Sequence, residues 1–560
     1  MQKIFRVMII IAMLITAYLL ILAWRDDYAD APAVDTVPKT ATSVGADIPS
    51  TSGAAGDIPV QTLPVNTGAV AATPAANTGL ITVTTDRYDI KINPEGGDIV
   101  YAALKQYDAT LDSDKPFVLL ENNSNRVYVA QSGLIGQNGI DTAEGRAKYS
   151  HTANNYVMEK GQQTLSVPLT YKKDGVTVTK TFTFTQDKYP IDISYQIQNA
   201  SANAWQGQMF AQLKRDDSKD PGMSDKGALS MATYLGGAWG TPDDPYNKLK
   251  FGKFNDGELT TTSDKGWVGI VQHYFVSAWT PENFTGKFFS RETGDEYFIG
   301  FNSQPVNVAP NKQVTLNATL YAGPKVQSEL KEVAVGLNQT VDYGLLWPIS
   351  KILFAVLDGI HKVIGNWGWS IILLTILVKI ALMWFSNKSY YSMAKMRAIA
   401  PRLAALKEEH GDDRMKMSQE MMAIYKEEKV NPMAGCLPIL MQMPIFLALY
   451  WVLVESVELR HAPWILWIRD LSAMDPWFIL PLLMGASMFV QQQLNPQPAD
   501  PMQAKVMKFL PIIFTAFMLF FPAGLVLYWT VNNLFSMTQQ YLINRKVEEE
   551  QKRRTVKVLD

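Results

Sequence analysis

Residues 367–385, WGWSIILLTILVKIALMWF, constrain what this chain can fold into more than any other stretch. At about 1.5 Å of rise per residue they can cross the roughly 30 Å hydrocarbon core of a bilayer as one helix. Trp367 and Trp369 stand at one end and Trp384 and Phe385 at the other, where interfacial anchors belong. A single charge interrupts the run: Lys379, one helical turn after Thr375 and on the same face. An ammonium at that depth is costly unless it reaches water, a partner or the nearer membrane surface. The helix alone leaves two readings open, a lysine that snorkels to the surface and a cation held inside for use.

The rest of the chain has a β-rich front half and a helical back half. Residues 1–25 carry Lys3 and Arg6 and then VMIIIAMLITAYLLILAW, too long an apolar run for a signal peptide and without a good cleavage site. This predicts an uncleaved transmembrane anchor with a cytoplasmic N-terminus. Residues 26–79 are Ala/Thr/Pro-rich and bury too little apolar surface to offset chain entropy, so they read as a flexible tether. From 80 to 340 apolar and polar residues alternate, as in VTVTKTFTFT (176–185) and IDISYQIQ (191–198), with turn residues between runs. The expectation is an antiparallel all-β sandwich with one solvated face per sheet and a short helical end. GWVGIVQHYFVSAWTP (266–281) is its most apolar part and reads as a central strand pair.

His151 and His273 are isolated, and no HExxH, GxSxG, paired Cys/His or GxxxxGK[ST] pattern occurs. The sequence therefore points to no enzyme, metal, cofactor or nucleotide. The single cysteine, Cys436, excludes an internal disulfide framework, so an external domain would need an ordinary buried core. A pocket of paired carboxylates and stacked aromatics in the β domain would instead favour a membrane-anchored periplasmic glycan-binding or glycan-processing protein.

In the back half, Leu346, Ile349, Leu353, Val356 and Ile360 form a stripe beside Lys351, Asp358, His361 and Lys362. Residues 341–366 are accordingly expected to form an amphipathic periplasmic surface helix. Four further apolar segments, 433–455, 477–494, 507–521 and 524–543, join 1–25 and 367–385 as expected crossings. Between them, 390–428 reads as an antiparallel helical hairpin with methionines along its seam, Met393, Met396, Met421 and Met422 among them. The polar stretch 386–431 carries nine Lys and Arg, whereas 26–344 holds 26 Lys and Arg against 36 Asp and Glu. With the basic tail 546–560, the orientation rule places the hairpin and both termini in the cytoplasm and the β domain outside. The expected fold class is a polytopic α-helical membrane protein of six transmembrane helices with an all-β periplasmic sandwich domain. Five of the six helices form a core over 367–545.

Thr375, Lys379, Gln442, Asn532 and Asn533 fall at membrane depth on three of these segments and should face each other or water. No Asp or Glu lies deep in a crossing, which counts against an ion-coupled transporter and leaves a lone cation suited to an anion arriving with a ligand. The stretches NWGWSIILLTILVK (366–379), SMAKMR (392–397), GDDRMKMSQEMMAIYKEEKVNPMAGCLPILMQMPIFLALY (411–450), DPMQ (500–503) and FPAGLVLYW (521–529) resemble the YidC/Oxa/Alb family of membrane protein insertases. The resemblance is to its Gram-negative branch, and 266–281 with VDYGLLWPI (341–349) extends it into the front half.

The resemblance implies an inner-membrane insertase and chaperone acting alone or with the Sec translocon. Its partners would be nascent membrane proteins, the lipid bilayer, and the ribosome through the cytoplasmic loops and basic tail. It further implies a hydrophilic groove closed towards the periplasm, with substrate contacts at Thr375, Gln442, Met443, Phe446, Tyr528 and Trp529. Lys379 stands where the family usually has arginine, keeping the charge without the planar fork. The hairpin is implied in first capture of the substrate.

Overall fold

The computed structural model describes residues 79–221, 233–257, 259–409, 414–428, 437–495 and 501–559, with Ile58, Pro59 and Val430 besides. The expected anchor 1–25, nearly all of the tether 26–79, Cys436 and the hairpin turn at 410–413 lie outside these residues.

Among the described residues the front half forms two sheets, of eleven and nine strands. Alternation in the sequence becomes alternation in burial: Thr164–Lys173, Val176–Thr185 and Pro190–Asn199 bury about every second side chain. Ile193 pairs with Phe182 on one side and Ala318 on the other, which keeps the apolar residues of three strands in one row. The stretch 266–281 forms the antiparallel pair Trp267–Val271 and Phe275–Pro281 inside the nine-stranded sheet, next to Lys312–Pro324. Here the expected single solvated face fails. Every residue of that pair is buried, and so is nearly all of Arg126–Ile135 in the other sheet. Strands covered on both faces read as continuous apolar runs, which is what 266–281 is. One pairing, Ile81–Thr84 with Asn155–Val157, is parallel rather than antiparallel.

The helical half contains, among the described residues, α1 (Gln327–Val333), α2 (Trp347–Ile364), α3 (Trp367–Ala381), α4 (Met383–Ala398) and α5 (Ala400–Glu409). It continues with α6 (Arg414–Glu427), α7 (Leu437–Glu455), α8 (Ile479–Leu494), α9 (Pro501–Met518) and α10 (Ala523–Leu559). Three features differ from expectation. The helix expected over 367–385 is broken at Leu382, and α4 leaves α3 at a bend of 69°. No Pro or Gly marks the break. At the break the Leu382 carbonyl accepts from both the N–H and the Oγ of Ser386, at 3.1 Å each. Second, α4 packs along α10, where Tyr391 donates to Glu550 at 2.7 Å. The antiparallel pair is therefore α5 with α6, joined by Arg402 to Glu427 and Glu428 at 3.2 and 3.4 Å. Third, α10 runs 37 residues straight through the expected separate tail. That segment has no Gly or Pro and carries the i,i+4 pair Arg545–Glu549.

Of the described helices, only 344–364 is long and apolar enough by itself to cross a membrane, and α3 with α4 would count as a second if taken as one span. Six crossings do not emerge from length and hydropathy of the described helices.

Front and back halves belong to one compact unit, and they meet at a polar seam. At its centre Lys325 donates to Glu455 at 3.0 Å, both side chains almost fully buried, and to the Thr340 carbonyl at 3.1 Å. The turn between the two most apolar strands brings His273, whose Nε2 donates to the Val454 carbonyl at 2.8 Å. Arg460, after α7, donates to the carbonyls of Asp108 and Ala109 and lies over the rings of Phe117 and Phe275. Burial, assisted by the Lys325 ammonium, holds the His273 imidazole down to about 3, so it is neutral.

Two outcomes are expected at this seam. Lys325→Met strips a buried carboxylate of its counterion and should lower stability by about 3–5 kcal/mol, while the double change with Glu455→Leu recovers most of the loss. Thermal unfolding of all four proteins of the cycle measures it. For His273, the unfolded chain takes up a proton below the ordinary value of 6.5 and the folded chain only near 3. The contribution is therefore complete above pH 6.5 and is lost as pH falls from there towards 3. His273→Gln should flatten that dependence, read by limited proteolysis between the halves across the pH range.

Candidate functional site

The site is built on α10. Tyr528, Asn532, Ser536, Gln539, Gln540 and Asn544 recur at helical spacing and share one face, and all are buried. Four other helices reach this stripe or its margin. From α7, Gln442 donates to the Tyr528 hydroxyl. From α3, Lys379 donates to Ser536 Oγ at 2.8 Å, and Ser536 donates in turn to the Asn532 carbonyl at 2.7 Å. Gln539 donates to Asn387 of α4 at 2.6 Å. Asn533 donates to Ser487 of α8 at 3.0 Å, and Gln540 to Asn495, just past the end of α8, at 2.9 Å.

Lys379 is 5% exposed, so it is held inside the bundle and does not extend to a surface. Among the described residues no carboxylate pairs with it. Four polar atoms of the stripe are also buried without a hydrogen-bond partner among the described residues: Asn532 Oδ1, Gln539 Oε1, Gln540 Oε1 and Asn544 Nδ2. Such atoms are costly in a dry interior and signal a place where water or a ligand's polar groups fit. Towards the start of α10 the character changes. Trp529 meets Phe446 edge-on at 4.7 Å and Phe514 at 4.8 Å, and Phe521 lies 4.7 Å from Phe517 and 5.6 Å from Tyr450. A wet stripe thus ends against an aromatic cluster.

Of the residues singled out from sequence, Lys379, Gln442, Phe446, Tyr528 and Trp529 converge on α10. Thr375 shares the face of Lys379, but its hydroxyl donates to the Ile371 carbonyl of its own helix at 2.7 Å. Met443 is exposed. The four methionines do not share a seam: Met393 and Met396 sit on α4, buried and half-buried, while Met421 and Met422 sit on α6, half-buried and exposed. Ser536, Ser487 and Asn387 were missed. The recurrence of amides and hydroxyls over 528–544 was the signal that could have found Ser536.

Paired carboxylates do occur in the β half, but they are already used. Arg146 donates through Nη2 to Asp98 at 2.9 Å and through Nε to Asp141 at 2.8 Å, all three buried. Lys180, on the inward face of its strand, donates to the carbonyls of Gly96, Gly97 and Ser132 on the facing sheet at 3.2, 2.7 and 3.1 Å. The network ties the two sheets together and leaves neither carboxylate open for the acid–base work of a glycosidase.

Two family models match the chain, that of the YidC periplasmic domain over residues 80–356 and that of the 60Kd inner membrane protein over 359–551. The chain is 48% identical to a membrane protein insertase YidC of Ectopseudomonas mendocina, with 97% of this chain and 98% of that one covered. It is 50% identical to a membrane protein insertase YidC of Pseudomonas syringae pv. syringae, with 98% and 99% covered. A crystal structure of an active YidC insertase with the first transmembrane domain resolved aligns over 83% of this chain and 93% of that one, at 17% identity and a TM-score of 0.37.

Tyr528→Phe removes the acceptor of a buried amide and should cost about 1–3 kcal/mol, whereas adding Gln442→Leu should recover part of that. Thermal unfolding of the single and double variants checks it.

Proposed function

The chain belongs to the YidC family of membrane protein insertases, and on that premise we propose that its helical half receives the polar tail of an arriving membrane protein where Lys379 meets Ser536. Its relatives are inner-membrane proteins with a β-rich periplasmic domain, and they are insertases, not enzymes. One observation carries the reading: a buried ammonium without an acidic partner among the described residues, on a stripe of partly unpaired amides. At an effective dielectric of about 20, an approaching carboxylate at 4 Å gains roughly 4 kcal/mol from such a charge. The open amide atoms of α10 offer hydrogen bonds to a passing backbone, replacing some of those it gives up on leaving water. The substrate's apolar segment then leaves sideways into lipid. Aromatic packing around Trp529 supports a path closed towards the periplasm.

In this reading 1–25 is an anchor, 26–79 a tether, 80–340 the periplasmic domain and 341–366 an amphipathic helix on the periplasmic surface of the inner membrane. The insertase core is 367–545, with six crossings in all and both termini in the cytoplasm. Met415 and Met422 are exposed, which suits the α5–α6 pair to a first contact with an apolar nascent segment. Beyond residue 545, α10 carries Lys546, Arg553 and Arg554 to where a ribosome would stand, and a Sec translocon is a further partner.

Lys379→Arg should be tolerated, because charge and approximate reach survive. Lys379→Ala or Lys379→Glu should slow insertion of substrates with acidic translocated tails by about tenfold, some 1.4 kcal/mol, and of neutral-tailed ones much less. An insertion assay on two substrates differing only in tail charge decides it. Wild-type activity of the alanine variant on both would reduce Lys379 to a structural residue.

A further inference from the structure

The bend between α3 and α4 opens a wedge beside α10. It is a groove of about 450 Å³, walled by Ile376 and Met383 on the bent side and by Leu534 and Leu542 on α10. Lys379 does not line it. Leu534 and Leu542 are 50% and 60% exposed, so the groove opens outwards, and it borders the polar stripe at Gln539 and Asn387. We propose that it binds an acyl chain of an anionic phospholipid whose headgroup carries hydroxyl donors, at the cytoplasmic membrane face. The proposal rests on the membrane-embedded orientation proposed above.

Three observations select this occupant. A helix about 10 Å across would fill the volume within about 6 Å of its length, little more than one turn, so the groove suits a slender chain better than a substrate helix. Gln539 sits at the groove's polar rim, is 8% exposed, and donates to Asn387, leaving its Oε1 as a buried acceptor without a partner. A hydroxyl satisfies it. Finally, the chain next to the lining residues carries cations and an aromatic ring. Lys388 follows Asn387 and lies over the exposed Trp384 at 4.9 Å, and exposed Lys546 follows the groove residue Ile543 by three positions. Glu549 and Glu550 further along α10 are taken up by Arg545 and Tyr391. Tryptophan and lysine are the side chains that meet phospholipid headgroups at a bilayer surface.

The test uses the full chain in nanodiscs of equal phosphatidylglycerol and phosphatidylcholine, followed by native mass spectrometry of the released protein. Wild type should retain one phosphatidylglycerol in preference to phosphatidylcholine. Thr538→Trp, which fills the groove from an exposed position, should lose it, and Leu534→Trp gives an independent filling should the first variant fold poorly. Lys388→Gln and Lys546→Gln should each reduce the preference roughly fivefold. A photocrosslinker at Leu542 should label lipid. Equal retention of both lipids by wild type, or unchanged retention in both tryptophan variants, overturns the site while leaving the membrane orientation intact. Labelling of a nascent polypeptide from Leu542 in place of lipid overturns it in favour of a substrate helix. A chain that enters no nanodisc overturns the orientation itself.

Discussion

A hydroxyl on a helix packed among apolar helices can turn back to its own backbone, as Thr375 does, but an amide or ammonium side chain looks to another helix, and α10 is where those partners are gathered. Lys379, Asn387, Gln442 and Ser487 come from four different helices, and each hydrogen-bonds to a residue of α10. The bundle is therefore held in register by a few directional contacts, since apolar packing alone does not fix how far one such helix slides past another. Among the described residues α9 stands outside this pattern, as does α2, whose Ser350 donates to the Ala448 carbonyl of α7. Helix α9 packs on α8 through Gly485, where a Cβ would come within 2.2 Å of Thr515 Oγ1, so close approach takes the place of a hydrogen bond. Collecting the polar groups on one helix also has a chemical consequence. Their unused atoms line up, and a stripe that organises the bundle becomes a stripe that can accept a ligand.

Periodicity was legible in the sequence and partnership was not. The strands of 164–199 and the start of α3 followed from side-chain alternation and from an apolar run opened by Asn366 and Trp367, and Asn366 does cap α3 by accepting from the Trp369 N–H at 3.2 Å. The break at Leu382 left no trace, because no Pro or Gly marks it and the apolar run continues through it. The exposed-looking hairpin was misjudged for a related reason. The methionines of α4 and α6 share a composition, but α4 has a better partner in α10, with Tyr391 and Asn387 to fix it. Lys180 stood in plain view in VTVTKTFTFT at an inward position. Its three acceptors are backbone carbonyls, which no sequence pattern displays.

Asymmetry between the two ends of the bundle follows from how each end is closed. At the outer end the loop after α7 is clamped from both sides. Arg460 and Arg469 bond it to the β half, at Asp108, Ala109 and Asp112, while Asn366 at the start of α3 donates to the carbonyls of Pro463 and Trp464. Trp464 lies so close to α3 that a Cβ on Gly368 would come within 2.1 Å of its ring. Lys325–Glu455 anchors the end of α7 to the same seam, and the aromatic cluster around Trp529 fills the space beneath. At the other end, among the described residues, the bonds run between helices: Gln539 to Asn387, Gln540 to Asn495 and Tyr391 to Glu550. There the chain turns by 69° from α3 into α4, and α10 continues past the end of the polar stripe with α4 beside it, held by Tyr391 to Glu550 at 2.7 Å. The end next to the β domain is thus locked by directional bonds and aromatic packing, while α3 and α4 diverge at the far end, the end from which the proposed function brings a charged tail to Lys379.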